Sequence, residues 1–318
     1  MSAESDFIAS LRGLASSRAA RGLIDDAAVL EFGSAKLILT HDMIVEGVHF
    51  LADDAPGDVA WKLVAVNLSD LAGKGARPIG VLLGFSLRDD AAWDKSFADG
   101  LSSALQAFEL DLLGGDTVAI PSGAPRCLGL TAIGASTGRV PSRSDAHAGD
   151  ILWASGSIGD AGAGLQLATG QSSARYQMRA QLIERYCAPR PRLEAGRRLA
   201  PLVGAMMDIS DGLLIDASRL AAASGVRAIV VLDSIPLSAG FLEVVGDDRE
   251  ARIKAATAGD DYELLFTARP DRSGDIESLA AELGLPLTKV GRIEPGSGLA
   301  LLDGVEVVPV PEVLGFEH

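Results

Sequence analysis

The sequence predicts a two-domain protein of the α/β (α+β) class, and three observations carry that expectation. Runs that read as strands and runs that read as helices alternate through both halves of the chain. Between the halves, the composition of residues 138–150 shifts to Gly138, Pro141, Ser142, Arg143, Ser144 and Asp145, the content of a linker. With 318 residues and 48% hydrophobic content there is enough chain for two cores, one in residues 1–138 and one in residues 148–318.

Taken in order, residues 5–22 predict a helix through Phe7, Ile8, Leu11 and Leu14, ending near Gly22. LIDDAAVLEF (23–32) places the paired acids Asp25 and Asp26 before a strand, and Gly33-Ser34 makes a turn. KLILTHDMIVEGVHF (36–50) is β-prone and ends in a polar cluster. Trp61, Val64, Ala65, Leu68 and Leu71 then recur at helical spacing, and Gly73, Gly75 and Pro78 stop that helix. PIGVLLGFSL (78–87) reads as a buried strand and 91–109 as an amphipathic helix. LDLLGGDTVAI (110–120) reads as a short strand breaking at Gly114-Gly115, and 127–137 as another strand. In the second half, strands are expected at 151–155, 227–233 and 258–268 and in the 289–310 tail. Helices are expected at 156–168, 175–187, 190–200, 211–224 and 275–284. The glycine-rich run Gly156–Gly164 fits close packing of a helix on a strand better than a dinucleotide fingerprint, since it lacks the G-x-G-x-x-G order.

Composition excludes several classes. A formal charge of −15 argues against a nucleic-acid surface. The apolar runs are too short to span a membrane, and MSAESDF has neither the basic start nor the apolar core of an export signal, so a cytoplasmic protein is expected. Cys127 and Cys187 stand alone and fit a reducing compartment. There is no G-x-x-x-x-G-K-S/T or H-E-x-x-H.

What remains is a set of acids at the ends of apolar runs. Asp70 sits in the small, apolar stretch VAVNLSDLA, where a bare carboxylate would be costly, so it must be paired, capped or bound to metal. NLSDL (67–71) is echoed by DISDGL (208–213), as if two walls of one site carried the same element. Asp25, Asp26, Asp42, Asp116, Asp208, Asp211, Asp260 and Asp261 occupy similar positions. Each alone fits a turn or cap. Together, at the loop ends of strands, they fit hard-cation binding, and magnesium held by several carboxylates implies a phosphate-rich substrate.

HDMIVEGVHF (41–50), VNLSDLAGKGARP (66–78), LLGGDT (112–117), DISDGL and GDDYEL (259–264), in this order, resemble the thiamine-monophosphate kinase family. Its superfamily also holds aminoimidazole-ribonucleotide synthetase and selenophosphate synthetase. The resemblance covers residue 22 to the C-terminus. It implies a four-stranded N-terminal sheet pairing across a homodimer, a C-terminal α/β domain closing over the site, and ATP near the dimer interface. It further implies ATP-dependent phosphorylation of thiamine monophosphate to thiamine diphosphate by direct in-line transfer through several Mg²⁺ ions. Matched position by position, Asp26, Thr40, His41, Asp42, Asp70, Asp116, Asp208 and Asp211 correspond to metal ligands. Gly115, Asp116, Arg143 and Ser210 correspond to ATP contacts, and His49, Asp260 and Phe316 to substrate contacts. Three positions depart from the family pattern: Ile24 replaces a glycine, His41 a threonine or serine, and Asp260 a glutamate. Two other readings stand beside the kinase, a synthetase of the same superfamily and a catalytically silent binding protein. The absence of cysteine from the first 40 residues opposes selenophosphate synthesis, and six retained aspartates oppose a silent protein.

Overall fold

The computed structural model of the chain describes residues 3–317, leaving out the side chains of residues 3–5 and of Tyr176; His318, the last residue of the expected second domain, lies outside the described residues. The first half contains α1 (Ala3–Leu11), β1 (Ala28–Phe32), β2 (Ala35–Val45), α2 (Pro56–Gly73), β3 (Arg77–Leu87), α3 (Ala91–Ala107), β4 (Asp111–Ala119) and β5 (Cys127–Ser136). Its strands form one sheet in the order β1-β2-β5-β3-β4, antiparallel except for the β3–β4 pair. That is five strands where the family resemblance implies four.

The second half contains β6 (Ile151–Ser155), α4 (Asp160–Ala168), α5 (Tyr176–Cys187), α6 (Leu193–Leu199), β7 (Met206–Ile209), α7 (Leu213–Ser224), β8 (Arg227–Val231), α8 (Ala239–Val244), α9 (Arg249–Thr257), β9 (Glu263–Ala268), α10 (Ser273–Leu283), β10 (Leu287–Glu294), β11 (Gly298–Asp303) and β12 (Glu306–Val308). Its sheet runs β12-β11-β8-β10-β6-β9-β7, with only β8 and β11 parallel.

Strand alternation builds the cores. In the second sheet Leu152, Ala154, Met207, Ile209 and Leu265 face α7. Their neighbours Trp153, Met206, Leu264 and Phe266 face α6 and α10. Among the described residues the first sheet is covered on one side, where Ile38, Leu128, Leu130, Ala132 and Val81 pack on α2 and α3. On its other side Met43, Leu82 and Val118 stand about half exposed.

Helix α2 has little polar face because it is packed on two sides. Leu63, Val64, Leu68 and Leu71 lie against the first sheet, while Ala72 joins the core around α6. At its C-terminal end a Cβ on Gly73 would come within 3.1 Å of the Asp208 amide, and one on Gly196 of α6 would collide with the Ala72 carbonyl. These close approaches bring the two sheets together around one helix, and they explain why Asp70 lies in so apolar a stretch.

Several expectations are corrected. The helix expected over 5–22 stops at Leu11; Phe7 and Leu14 are exposed, so no apolar partner extends it, and a separate 3-10 segment (Arg18–Leu23) follows, capped by Ser17. The 110–120 strand does not break at its glycines: β4 runs through them, because a Cβ on Gly115 would collide with the Leu83 carbonyl of β3. The linker 138–150 is not loose. Arg21 donates to Pro141 O at 2.9 Å, Arg139 to Gly204 O at 2.7 Å, and Ser224 to Arg143 O at 2.7 Å. In the run Gly156–Gly164 the close packing is divided: Gly156 lies against Glu263 of β9, whereas Gly159 and Gly164 pack on other helices, against Ala255 and Leu182. α8 and α9 occupy residues that the sequence reading leaves unassigned.

Candidate active site

A cavity of about 1050 Å³ opens between the two sheets. Asp26, Asp42, Asp70, Arg143, Asp208, Ser210 and Asp211 line it, and so do His49, Asp260 and Phe316. Carboxylate oxygens of Asp26, Asp70 and Asp208 lie within 4.8 Å of one another. They come from the loop before β1, from α2 and from the end of β7. Asp70 and Asp211 are the matched positions of the repeated S-D element, yet the carboxylate that meets Asp70 is Asp208.

The acids differ in how their charge is met. Lys74, fully buried at the end of α2, reaches Asp25 at 2.5 Å and also pairs with Asp26, while Arg21 reaches Asp25 at 2.5 Å and Arg143 pairs with Asp26. Burial alone would raise the Asp25 carboxyl, but Lys74 and Arg21 hold it well below the usual range. Among the described residues no cation pairs directly with the deeper acids, although the charge of Arg143 partly offsets the rise at Asp42 and Asp208. Burial, followed by repulsion from Asp42, Asp208 and Asp26, pushes Asp70 well above the ordinary value. Burial and Asp26 do the same to Asp208. Asp42 is pushed up to about 6 by burial and by the charges of Asp26 and Asp211. Three converging oxygen ligands, of which Asp70 and Asp208 have no ion-pair partner among the described residues, fit a small hard cation such as Mg²⁺, and the donor set contains no soft atom.

Supporting groups hold these acids in place. Thr40 Oγ1 donates to Asp70, and the Asn67 amide oxygen accepts from Asp42 N at 2.9 Å. The fully buried Asp216 carboxylate accepts from Asp211 N at 3.2 Å and from Arg219 at 3.1 Å, and Arg219 also pairs with Asp211. Burial, with the charge of Asp211 behind it, raises Asp216 to about 7. At the other end of the cavity His49 Nδ1 accepts from Val45 N at 3.0 Å, which leaves the ring proton on Nε2. The His49 and Phe316 rings sit edge-on with centroids 6.3 Å apart, and Phe316 N donates to Asp211 O at 2.9 Å.

Known proteins share this architecture. The family description "AIR synthase related protein, N-terminal domain" matches residues 24–136, and the corresponding C-terminal domain matches residues 147–304. A thiamine-monophosphate kinase of Caulobacter vibrioides is 38% identical over 93% of this chain and 84% of its own length. The chain belongs to the thiamine-monophosphate kinase family. It is an enzyme, and the cavity is its candidate active site. The crystal structure of a thiamine-monophosphate kinase from Stenotrophomonas maltophilia K279a is 38% identical, with a TM-score of 0.79 over 93% of this chain and 94% of that one. The structure of AaThiL complexed with AMPPCP and TMP is 29% identical, with a TM-score of 0.84 over 97% of this chain and 95% of that one.

Four of the family-matched positions do not line the cavity. Thr40 lies behind Asp70. His41 alternates to the opposite face of β2, where Nδ1 is 2.9 Å from Thr131 Oγ1. Gly115 and Asp116 sit on the exposed edge strand β4. In the pairing register Met43, Gly129, Gly84 and Asp116 form one row across the sheet, so Asp116 shares the open face with Met43 while Asp42 shares the other with α2. Three strand spacings, about 14 Å, separate β4 from β2. Asp42 and Asp116 therefore do not meet within one chain.

Asp261, one of the acids flagged by its position, caps a helix instead of facing the cavity. It accepts from Gly159 N at 2.7 Å and Ala161 N at 3.4 Å, at the start of α4. The sequence reading did not single out Lys62, Asp216 or Arg219. Lys74 offered a signal, since it shares a helical face with Asn67 and Asp70.

Proposed function

We propose that this chain transfers the γ-phosphoryl group of ATP to thiamine monophosphate, giving ADP and thiamine diphosphate. The observation that carries the reading is the convergence of Asp26, Asp70 and Asp208, drawn from both halves of the chain, on a cavity with room for two ligands. Membership of the family supports it, as does similarity to a structure that holds AMPPCP, an ATP analogue, together with TMP.

In this reaction an oxygen of the acceptor phosphate bonds to the γ-phosphorus while the bond from that phosphorus to the β–γ bridging oxygen breaks, its electron pair leaving on ADP. A phosphate monoester with a second pKa of about 6 is already largely ionised at neutral pH, so the enzyme needs no strong base. Asp26, Asp42, Asp70, Asp208 and Asp211 are the metal-holding side chains of this reading. Thr40 orients Asp70, and the Thr40–His41 backbone completes the set. Magnesium held there supplies charge neutralisation and alignment of the two reacting oxygens. Arg143 and Ser210 bind the nucleotide phosphates, and His49, Asp260 and Phe316 bind and orient the acceptor. The boundaries 1–138 and 148–318 divide these roles between two domains. Use of ATP carries a cytoplasmic location with it, and among the described residues no helix is long and apolar enough to cross a membrane.

His49 tests the direct route. Its Nδ1 accepts a backbone N–H and its Nε2 carries the proton, which supports a binding role over a phosphate-carrying one. In an assay that follows ADP and thiamine diphosphate together, His49→Ala and His49→Asn are expected to raise the acceptor KM about tenfold or more while retaining turnover. Label from γ-phosphate-labelled ATP trapped on the protein without acceptor, together with ADP–ATP exchange lost in the same variants, would establish a covalent route instead.

Assembly belongs to the same proposal. The open face bearing Met43, Leu82 and Val118 and the bare edge strand β4 call for a second copy. In such a homodimer Gly115 and Asp116 of one chain serve the nucleotide end of the partner's cavity. Sedimentation should give a dimer at micromolar protein; a species near 32.8 kDa would count against it. Asp70→Asn and Asp116→Asn chains, each inactive alone, should recover about a quarter of wild-type activity after mixing and reassortment, because half of the dimers are mixed and each carries one intact site.

A further inference from the structure

Lys62 lies in α2 with only 2% of its side chain exposed. Its Nζ donates to the His49 carbonyl at 2.8 Å and to Asp260 Oδ2 at 2.9 Å, and lies 4.1 Å from the centre of the Tyr186 ring. These partners come from three distant segments: the loop after β2, the turn before β9 and the end of α5. The other oxygen of Asp260 accepts from Tyr262 OH at 3.1 Å. Asp260 and Tyr262 both have left-handed backbone, with φ of +69° and +49°. A turn of that kind persists only where its surroundings over-determine it.

A buried ammonium is costly unless its donors are used. Much of the buried face of α2 is filled by Ala, Val and Leu, and an apolar residue at position 62 would pack as well. What Lys62 adds is a tie between the two residues proposed to meet the acceptor, His49 from the first half of the chain and Asp260 from the second. It also bears on the one-carbon shortening of Asp260 relative to the family glutamate, because the carboxylate is held from both oxygens and its position is set by Lys62 and Tyr262.

We infer that Lys62 is a positioning residue for the acceptor end of the site, fixing His49 and Asp260 relative to each other across the cavity without touching the reacting atoms. This rests on the kinase reading above. The test compares Lys62→Met, which removes the donors, with Lys62→Gln, which keeps one. Steady-state constants, calorimetric binding of thiamine monophosphate and thermal midpoints are measured for both. Lys62→Met should raise the acceptor KM and Kd at least about tenfold and the ATP KM less than about threefold, with Lys62→Gln in between. Combined with Asp260→Asn, it should raise the acceptor KM no further than the larger single effect, since both act through one contact. If Lys62→Met does not fold, Lys62→Gln carries the same comparison. The inference is overturned by an acceptor KM within about twofold of wild type in a folded variant, by an equal rise for ATP, or by additive effects with Asp260→Asn. Failure of the wild-type chain to phosphorylate thiamine monophosphate would instead remove the kinase reading beneath it.

Discussion

Asp70→Asn is expected to lower kcat by at least about a hundredfold while leaving the fold intact. The asparagine can still accept the hydrogen bond from Thr40 Oγ1, so the local shape survives. What it loses is the charge that three converging carboxylates offer to a cation. The same substitution should raise the thermal midpoint of the metal-free protein. Burial and the charges of Asp42, Asp208 and Asp26 make an ionised Asp70 unfavourable there, and no cation of the chain pairs with it among the described residues. Activity and stability thus move in opposite directions, as expected of a site whose geometry is held against its own electrostatics. Near-wild-type turnover at limiting Mg²⁺ would make Asp70 a structural aspartate and dismantle the proposed ligand set.

The second large effect concerns pH. Without metal, the protein is expected to lose stability from about pH 4 to about pH 7. The unfolded carboxyls titrate near the ordinary value of 3.8, whereas burial raises Asp42 to about 6 and Asp216 to about 7, and puts Asp70 and Asp208 well above the ordinary value. Between those values the native protein binds protons that the unfolded chain has released. Each group's contribution is therefore complete below 3.8 and is lost as pH rises through its folded value. Asp25 has the opposite sign, but its window lies below 3.8 and does not enter. Saturating Mg²⁺ should flatten or reverse the slope, because the cation favours the deprotonated site. Urea unfolding at three pH values, with and without Mg²⁺, reads this directly; identical slopes in both series would show that the acids do not share a cation.

The amino-acid sequence by itself determines which residues can be ligands and where the elements that carry them run. The apolar period of α2 and the break at Gly73 place Asp70 near the end of a buried helix, and β-strand alternation separates His41 from Asp42. Gly115, read from sequence with Gly114 as a break, is the condition for β4 to lie close against β3. Such features depend on a few neighbouring residues, so their pattern is written locally. The tertiary structure decides what cannot be written that way. It sets Asp208 rather than Asp211 beside Asp70, puts Asp116 on the open face of the sheet, turns Asp261 into a helix cap, and brings Lys62 to Asp260 across 198 positions of chain. The charges of these residues are visible in the sequence, but their partners are not. Which buried acid meets a cation, a backbone amide or only other acids follows from how two sheets close on one helix, and that closure is set by packing summed over the whole chain.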